Sequence, residues 1–571
     1  MHAAALAEAA PREGGWSVAL VPVGGVRRGG PEPVRRSTWF LAGAVALIVL
    51  AASINALNLL LVRGWSRARE LAVRLALGAS RPRLVLQLLV ESGILALLSG
   101  GLAVVFCFLV LWLIKGIVPG NFTFYSPYDF DVEGRTLLFT FVLGLAVALG
   151  VGLLPALLST RVHTTSAGGA LTPYAARTPA RGRLRRVLVV AEVALSVTLL
   201  VGAGLLAHSF VRLVRVDPGF RLDDVAFLTL DLSPSAYPTG EERMEMLRRL
   251  EERIEAIPGV VGATAGGGAL PNTGITFTNE PETDAGTVST GGETIRMLQV
   301  VAAPDFFELL GVRILEGRAF TPEDEGSDGV ILSRALARFL FGDERPVGRS
   351  FRPGAEWEWM TVVGVVGDPL LEGPTEHYGN FAFILPPSGR AGYYTSIGIR
   401  TTADPRPLFP EIRAAVRELD PRQPVQSLES ARAVYAKTME TERFLLVVMA
   451  ALSAVALLMA ALGVYGVLAY EVAQRRYELG VRVALGADPA ALARRVLGGG
   501  VALASAGAAL GVLGGLALSR LVSGLLYGVE PGDPISLVLV VTTTPAAATA
   551  ASWLPARRTT RIDPAAVLKV D

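Results

Sequence analysis

Seven stretches of nearly unbroken apolar residues punctuate the chain, near Trp39–Val62, Gly93–Val118, Thr136–Leu158, Val187–Ala207, Phe444–Tyr470, Leu497–Leu525 and Ile535–Leu554. Each reaches the roughly 20 residues that carry a helix across a hydrocarbon layer of about 30 Å. Their length and number set them apart from buried helices of a soluble protein. Gly and other small residues recur in them, as close helix packing in lipid favours. Between the fourth and fifth stretches the pattern changes, and charged residues, Pro and Gly alternate with short runs over residues 212–438. Glu241–Ile257 has the acidic-basic pattern of an amphipathic helix and stops at Pro258-Gly259. Pro304–Leu310 and Pro410–Leu419 also read as helices, and Thr361–Gly367 as a buried strand with a turn at Gly367-Asp368. Gly266–Gly292, rich in Gly, Thr and Asn, reads as a loop. The expected fold class is a polytopic α-helical membrane protein of about seven spans, with one α+β domain held outside the bilayer.

The basic residues of the short loops set the orientation. Arg63, Arg67, Arg69, Arg74, Arg81 and Arg83 cluster after the first span against one acid, Glu70. The stretch from Arg161 to Arg186 adds Arg177, Arg181, Arg183 and Arg185 with no acid, and the loop after Tyr470 and the tail after Leu554 are also Arg-rich. Loops 119–134 and 526–534 carry Asp129, Asp131, Glu133, Glu530 and Asp533 instead. The two sets alternate as spans require, so the arginine loops face the cytoplasm and residues 212–438 lie outside. Residues 1–37 fall outside by the same count. They carry Arg27, Arg28, Arg35 and Arg36 and no signal peptide, which leads us to expect a further span upstream.

Composition agrees with a membrane protein: 51% of residues are hydrophobic and 18% charged. The net charge of +2 gives no reason to expect a nucleic-acid partner. Cys107 is the single cysteine, which excludes an internal disulfide and a cysteine metal site.

The chain repeats itself. Glu70-Leu71-Ala72-Val73-Arg74-Leu75-Ala76-Leu77-Gly78-Ala79 follows the first span, and Glu478-Leu479-Gly480-Val481-Arg482-Val483-Ala484-Leu485-Gly486-Ala487 follows the fifth. Only two of the ten positions differ. Leu154-Pro155-Ala156 with Thr160-Arg161 likewise matches Leu554-Pro555-Ala556 with Thr560-Arg561. Two echoes in register imply two copies of a three-span bundle in one orientation. In each repeated segment Leu, Arg, a branched apolar residue and Gly fall at helical spacing, with Glu in the first turn, where the helix dipole favours it. A short amphipathic helix at the cytoplasmic surface results. It serves either to rest in the lipid headgroups or to dock a cytoplasmic partner, and the conserved order between copies favours docking.

Candidate chemistry is sparse. There is no Walker A motif, no His-Glu-x-x-His and no Gly-x-Ser-x-Gly, and His2, His163, His208 and His377 are scattered. No enzyme activity, metal or cofactor is expected. Within the spans the polar exceptions are Asn55, Asn58, Glu91 and Glu192. An ionisable group in a span is a candidate functional site. Both glutamates are expected near span ends, where they more often face water or a neighbour than relay protons.

These residues resemble the FtsX-like permease family, specifically MacB-like permeases of the ABC transporter superfamily. The resemblance rests on Arg69–Ala79 and its repeat at Tyr477–Ala487, and on Pro555-Ala556-Arg557-Arg558 with Ile562-Asp563-Pro564-Ala565-Ala566-Val567-Leu568. Ile257-Pro258-Gly259-Val260, Pro304-Asp305-Phe306-Phe307, Gly317-Arg318-Ala319-Phe320 and Val363-Gly364-Val365-Val366-Gly367-Asp368 are similar to pieces of the family's outer domain. The tandem arrangement looks like the duplicated orphan permeases first noted in acidobacteria. The resemblance implies four spans per copy, with the outer domain between the first and second. This first copy lacks its first span and nearly all of its outer domain, so the chain is expected to be N-terminally truncated, with Gly15–Leu20 as the last strand of the lost domain.

The domain organisation that follows is a remnant of the first extracytoplasmic domain over 1–37 and an FtsX-like bundle over 38–160. A cytoplasmic linker over 161–186 and a transmembrane helix over 187–211 come next, then a MacB-like periplasmic α+β domain over 212–438. A second FtsX-like bundle with its cytoplasmic tail occupies 439–571. The resemblance further implies a location in the bacterial inner membrane with the large domain periplasmic. The implied partners are the lipid bilayer, a cytoplasmic ABC ATPase and a periplasmic partner protein. The ATPase would be a separate chain, docked at Glu70, Leu71, Arg74, Ala76, Leu77 and Gly78, and at Glu478, Leu479, Arg482, Ala484, Leu485 and Gly486. Its ATP-driven closure would move the outer domain. The alternatives are a non-transporting scaffold or signalling protein regulating a periplasmic partner, and an ion-coupled transporter using Glu91 or Glu192.

Overall fold

The computed structural model describes residues 31–66, 70, 73–74, 77, 79–117, 134–160, 179–233, 235–266, 274–278, 280–290, 295–324, 326–355, 357–371, 373–374, 381–384, 394–474, 476–485, 487–522, 526–530 and 532–559. The expected strand at Gly15–Leu20 lies outside the described residues.

Long helices come first: α1 (Pro31–Ser66), α2 (Arg81–Ile117), α3 (Gly134–Thr160) and α4 (Pro179–Val214). Then follow β1 (Val225–Asp231), α5 (Gly240–Glu255), β2 (Val260–Gly266), β3 (Gly274–Thr278), β4 (Glu282–Thr283), β5 (Gly286–Thr287) and β6 (Ile295–Val301). Next are α6 (Phe306–Leu310), β7 (Ile314–Gly317), β8 (Gly329–Ser333), α7 (Arg334–Phe341), β9 (Ser350–Arg352), β10 (Met360–Val366) and β11 (Phe381–Ile384). The domain continues through β12 (Tyr394–Thr401), α8 (Phe409–Leu419), β13 (Val425–Ser430) and α9 (Ala431–Lys437). Helices α10 (Glu440–Gln474), α11 (Arg476–Ala484), α12 (Pro489–Val522) and α13 (Pro534–Thr559) come last. Two compact units result, one of residues 1–209 with 445–571 and one of residues 210–444.

Among the described residues, seven helices are long and apolar enough to cross a membrane: Trp39–Leu61, Pro82–Trp112, Gly134–Leu153, Gly182–Val214, Glu440–Gln474, Pro489–Arg520 and Pro534–Arg557. Six of the seven begin earlier than the sequence pattern suggested, among them Pro82 instead of Gly93, Pro489 instead of Leu497 and Gly182 instead of Val187. Arg is a good helix former, so a basic approach does not stop a helix that apolar packing continues. As a result Glu91 and Glu192 fall within the helical ranges instead of at their first residues. Glu192 is fully buried.

In the membrane unit α2 packs along α3, α3 along α1, and α12 along α13. Helix α4 is the central one, since 56% of its apolar window is buried against 28% for α10 and none for α2. One face of α4 meets α12, where Gly507, Gly511 and Gly515 stand against Val193, Val197 and Val201. Both sets recur every four residues, so the valine ridge of α4 runs into a groove that only glycine leaves open. Another face meets α10 through polar stitches that replace the hydrophobic drive absent in lipid. The Ser196 hydroxyl donates to the Ala456 carbonyl at 2.8 Å, and the Ser453 hydroxyl to the Leu199 carbonyl at 2.9 Å.

The outer domain is built on two sheets. The first, in the order β13-β1-β12-β2, is antiparallel throughout. Helices α5 and α8 cover it, burying Met246, Leu247, Leu250, Ile254, Ile412 and Val416 with Leu228, Leu230, Ile397 and Ile399. Helix α5 starts at Thr239, whose hydroxyl accepts from the Glu242 amide at 3.2 Å, while the Glu242 carboxylate accepts from the Thr239 amide at 3.1 Å. That reciprocal cap satisfies two end amides. The second sheet runs β3-β6-β11-β8-β10-β9-β4-β5 with β7 on β10, and is mixed, because β6–β11 and β8–β10 are parallel. Its core joins Val330, Leu332, Leu336, Leu340, Phe351, Val362 and Val365.

The expected loop at Gly266–Gly292 contains three strands instead. Strand β3 pairs antiparallel with β6 from Gly274 to Thr278, and the β4–β5 hairpin pairs with β9. Ile275 and Phe277 alternate with Thr276 and Thr278 at strand period, and Thr suits a pleated surface. The surrounding Gly and Asn masked that alternation.

Candidate functional site

The described residues of the two repeated segments make matching contacts. In the second, α11 places Glu478 and Arg482 one turn apart, and their side chains pair at 2.6 Å. In the first, Glu70 and Arg74 are helical and pair at 2.6 Å. Exposed pairs at this spacing add only about 0.3–0.5 kcal/mol to a helix, so their value is in fixing which way the guanidinium points. Arg74 also donates to Gln87 at 3.1 Å.

The exit from each segment repeats too. The Leu77 amide donates to the Val73 carbonyl at 3.0 Å and the Ala79 amide to the Arg74 carbonyl at 3.0 Å. The corresponding bonds of the second copy, Leu485 to Val481 at 3.0 Å and Ala487 to Arg482 at 2.9 Å, match them. A bond reaching five residues back closes a helix end of the Schellman type, which favours glycine just before the donor. Glycine occupies that position in both copies. Beyond it the Asp488 carboxylate accepts from the Ala490 and Ala491 amides at 2.9 and 3.1 Å and caps α12.

This ending leaves Leu77 and Leu485 each 82% exposed. Ala484 is exposed as well. Leu479 points the other way and is buried with Val472 and Leu492, flanked by Val483 and Val496. It anchors the short helix to the chain. Leu71, Ala76, Gly78 and Gly486, also expected in the site, lie outside the described residues.

A second polar cluster, which the sequence reading did not assemble, sits deeper in the membrane unit. Arg185 of α4 is 5% exposed and Asn58 of α1 is 2% exposed. The Arg185 Nε donates to the Asn58 Oδ1 at 3.0 Å and its Nη2 to the Gly466 carbonyl at 2.6 Å, while the guanidinium lies 4.7 Å from the Tyr470 ring centroid. Next to it Arg186 pairs with Glu471 at 2.9 Å. Asn58 stood out in the sequence as a polar residue in a span, but Arg185 looked like one more basic loop residue. Farther along α4, Glu192 lies against Gly463 of α10, and neither of its oxygens has a hydrogen-bond partner. At the other end of the span the His208 Nδ1 is 2.9 Å from Asp533, whose carboxylate also accepts from the Ser536 amide at 2.9 Å to cap α13.

Comparison with known proteins covers both units. Residues 187–429 match the MacB-like periplasmic core domain, and residues 42–164 and 450–564 match the FtsX-like permease C-terminal model. The macrolide export ATP-binding/permease protein MacB of Wolinella succinogenes is 26% identical over 277 residues, covering 44% of this chain and 40% of that protein. The pyoverdine export ATP-binding/permease protein PvdT of Pseudomonas aeruginosa is 24% identical over 284 residues, covering 46% of this chain and 41% of that one. The chain thus spans about two fifths of the length of the curated relatives it matches. The solved periplasmic region of MacB from Actinobacillus actinomycetemcomitans is 12% identical, covers 40% of this chain and 98% of its own, and has a TM-score of 0.27.

Seven candidate spans and a MacB-like periplasmic core domain make this a multi-pass inner-membrane protein with a large periplasmic domain. The chain belongs to the FtsX-like and MacB-like permease family of ABC transporters.

Proposed function

We propose that this chain is a permease subunit whose two cytoplasmic segments, Glu70–Gly78 and Glu478–Gly486, are gripped by a separate ABC ATPase. ATP-driven closure of that motor moves the two segments, and the motion reaches the periplasmic domain for export or for transmission of force. The domain is entered from α4 and left into α10. Each of these helices has about 35 residues, some 50 Å at 1.5 Å per residue, which is long enough to carry a displacement across the bilayer.

The observation that supports this reading is the identical ending of the two segments: a Glu–Arg pair at 2.6 Å and a leucine 82% exposed in each. A leucine that merely rested in headgroups would not need the same polar bracket twice. A protruding apolar side chain beside an oriented guanidinium is suited to fill a pocket on a partner whose rim is acidic.

The test is co-purification of a separate ABC ATPase from the same cell, using Leu77→Glu, Leu485→Glu and the double variant. Burying a carboxylate in the partner's pocket should cost at least about 2 kcal/mol per site, a loss of affinity of about thirtyfold or more. Membrane insertion should be unchanged. Undiminished co-purification by the double variant, or labelling of a cysteine at position 77 or 485 from the periplasmic side, would overturn the reading.

A further inference from the structure

Equivalent positions of the two repeats meet at one side chain. Glu70 aligns with Glu478, and twelve residues upstream of each stand Asn58 on α1 and Gly466 on α10. Arg185 of α4 donates to both, through Nε to the Asn58 side chain at 3.0 Å and through Nη2 to the Gly466 carbonyl at 2.6 Å. Helix α1 ends at Ser66 and α10 at Gln474, each just before its own repeated segment. Toward the other end the same three helices pack through Phe40 and Ala44 of α1, Leu199, Ala203 and Leu206 of α4, and Leu445 and Met449 of α10.

Apolar packing between membrane helices is weakly directional, because lipid is as apolar as the side chains. It allows α1 to slide or turn on α4 and α10. A buried guanidinium does not, because each N–H that loses its acceptor is left without water to replace it. The fork of Arg reaches two acceptors at fixed angles, which a lysine ammonium does not. Buried charges of this kind are often retained because they select one packing over its neighbours, even where they add little stability.

We infer that Arg185 is a positioning residue that pins α1 to α10 and so holds the two cytoplasmic segments in one fixed relation. The use of that relation, presenting two docking points at the spacing of a paired motor, rests on the function proposed above. The pin itself does not depend on it, and its test needs no ATPase.

The experiment uses the full chain in lipid nanodiscs, with Cys107→Ser and spin labels on Leu77→Cys and Leu485→Cys. The parent should give one narrow distance distribution between the labels. Arg185→Gln, Arg185→Lys and Asn58→Ala should each at least double its width or add a second distance. Asn58→Asp, which keeps an acceptor, should restore the parent distribution. Gly466→Ala should also leave it unchanged, because the added methyl would lie 3.8 Å from the guanidinium. Ser453→Ala removes a different interhelical hydrogen bond, between α10 and α4. It should leave the distribution narrow, and broadening equal to that of Arg185→Gln would overturn a specific role for the arginine. A broad distribution in the parent, or no change in both Arg185→Gln and Asn58→Ala, would also refute the pin. Should Arg185→Gln fail to fold, Asn58→Ala reads the same joint by removing only the acceptor. Loss of ATPase binding by the leucine variants with no broadening in Arg185→Gln and Asn58→Ala refutes the pin alone, and broadening with undiminished ATPase binding refutes the docking alone.

Discussion

Gly511→Ala tests the packing that makes α4 the central helix. A methyl at Gly511 would fall 2.5 Å from the Ala194 carbonyl oxygen and 2.5 Å from the Val197 Cβ. An ordinary carbon–oxygen approach is about 3.3 Å, so α12 must retreat from α4 by roughly 0.8 Å. A gap of that size forfeits a quarter to a half of each atom pair's attraction of about 0.1–0.2 kcal/mol. Over some tens of pairs along the valine ridge this gives about 1–3 kcal/mol, the usual range for overpacking. Gly→Ala also recovers about 1 kcal/mol of helix propensity, which would blur the result. Gly499→Ala supplies the control, because a methyl there meets nothing within 4 Å on the same helix. The difference between the two variants cancels the propensity gain. Thermal unfolding in detergent, followed by tryptophan fluorescence, should place Gly511→Ala below Gly499→Ala by about 2–4 °C per kcal/mol. Equal midpoints would mean that α4 and α12 do not meet through this groove.

Two predictions concern the outer domain. Asp324 accepts from Arg318 at 2.8 Å through its Oδ1 and from the Thr321 amide at 2.8 Å through its Oδ2. The Arg318 guanidinium, with help from Thr321, holds its carboxyl well below the usual carboxylate range. A depressed value stabilises the fold above the unfolded pKa of about 3.9 and loses that contribution as pH falls toward the folded value. Amide protection around residues 318–324, taken relative to the intrinsic exchange rate at each pH, should therefore fall below about pH 4, and Asp324→Asn should show the lower protection already at pH 7. Protection flat with pH in the parent would refute this. Gly317 has a φ of +71° and lies against Val363 and Gly364 of β10, where a methyl would collide with the backbone. Gly317→Ala should detach β7 from β10 and lower the unfolding midpoint of the outer domain, and an unchanged midpoint would contradict the β7–β10 pairing.

The sequence alone determined the spans, their orientation and the twin segments. Spans depend on local apolar length and loop charge, which need no knowledge of neighbours. The ten-residue echo after Glu70 and Glu478 was legible for the same reason. The outer domain was legible only in part. The helix at Glu241–Ile257 announced itself through its pattern, whereas β3 to β5 did not, because a strand exists only once a partner such as β6 or β9 lies beside it. Tertiary structure alone decided that Leu479 turns inward while Leu485 projects, and that Glu192 is fully buried. It alone brought Arg185 to Asn58 and Gly466, residues 127 and 281 positions away. Which acceptor a buried donor finds is fixed by how helices pack around it, and no local pattern encodes that choice.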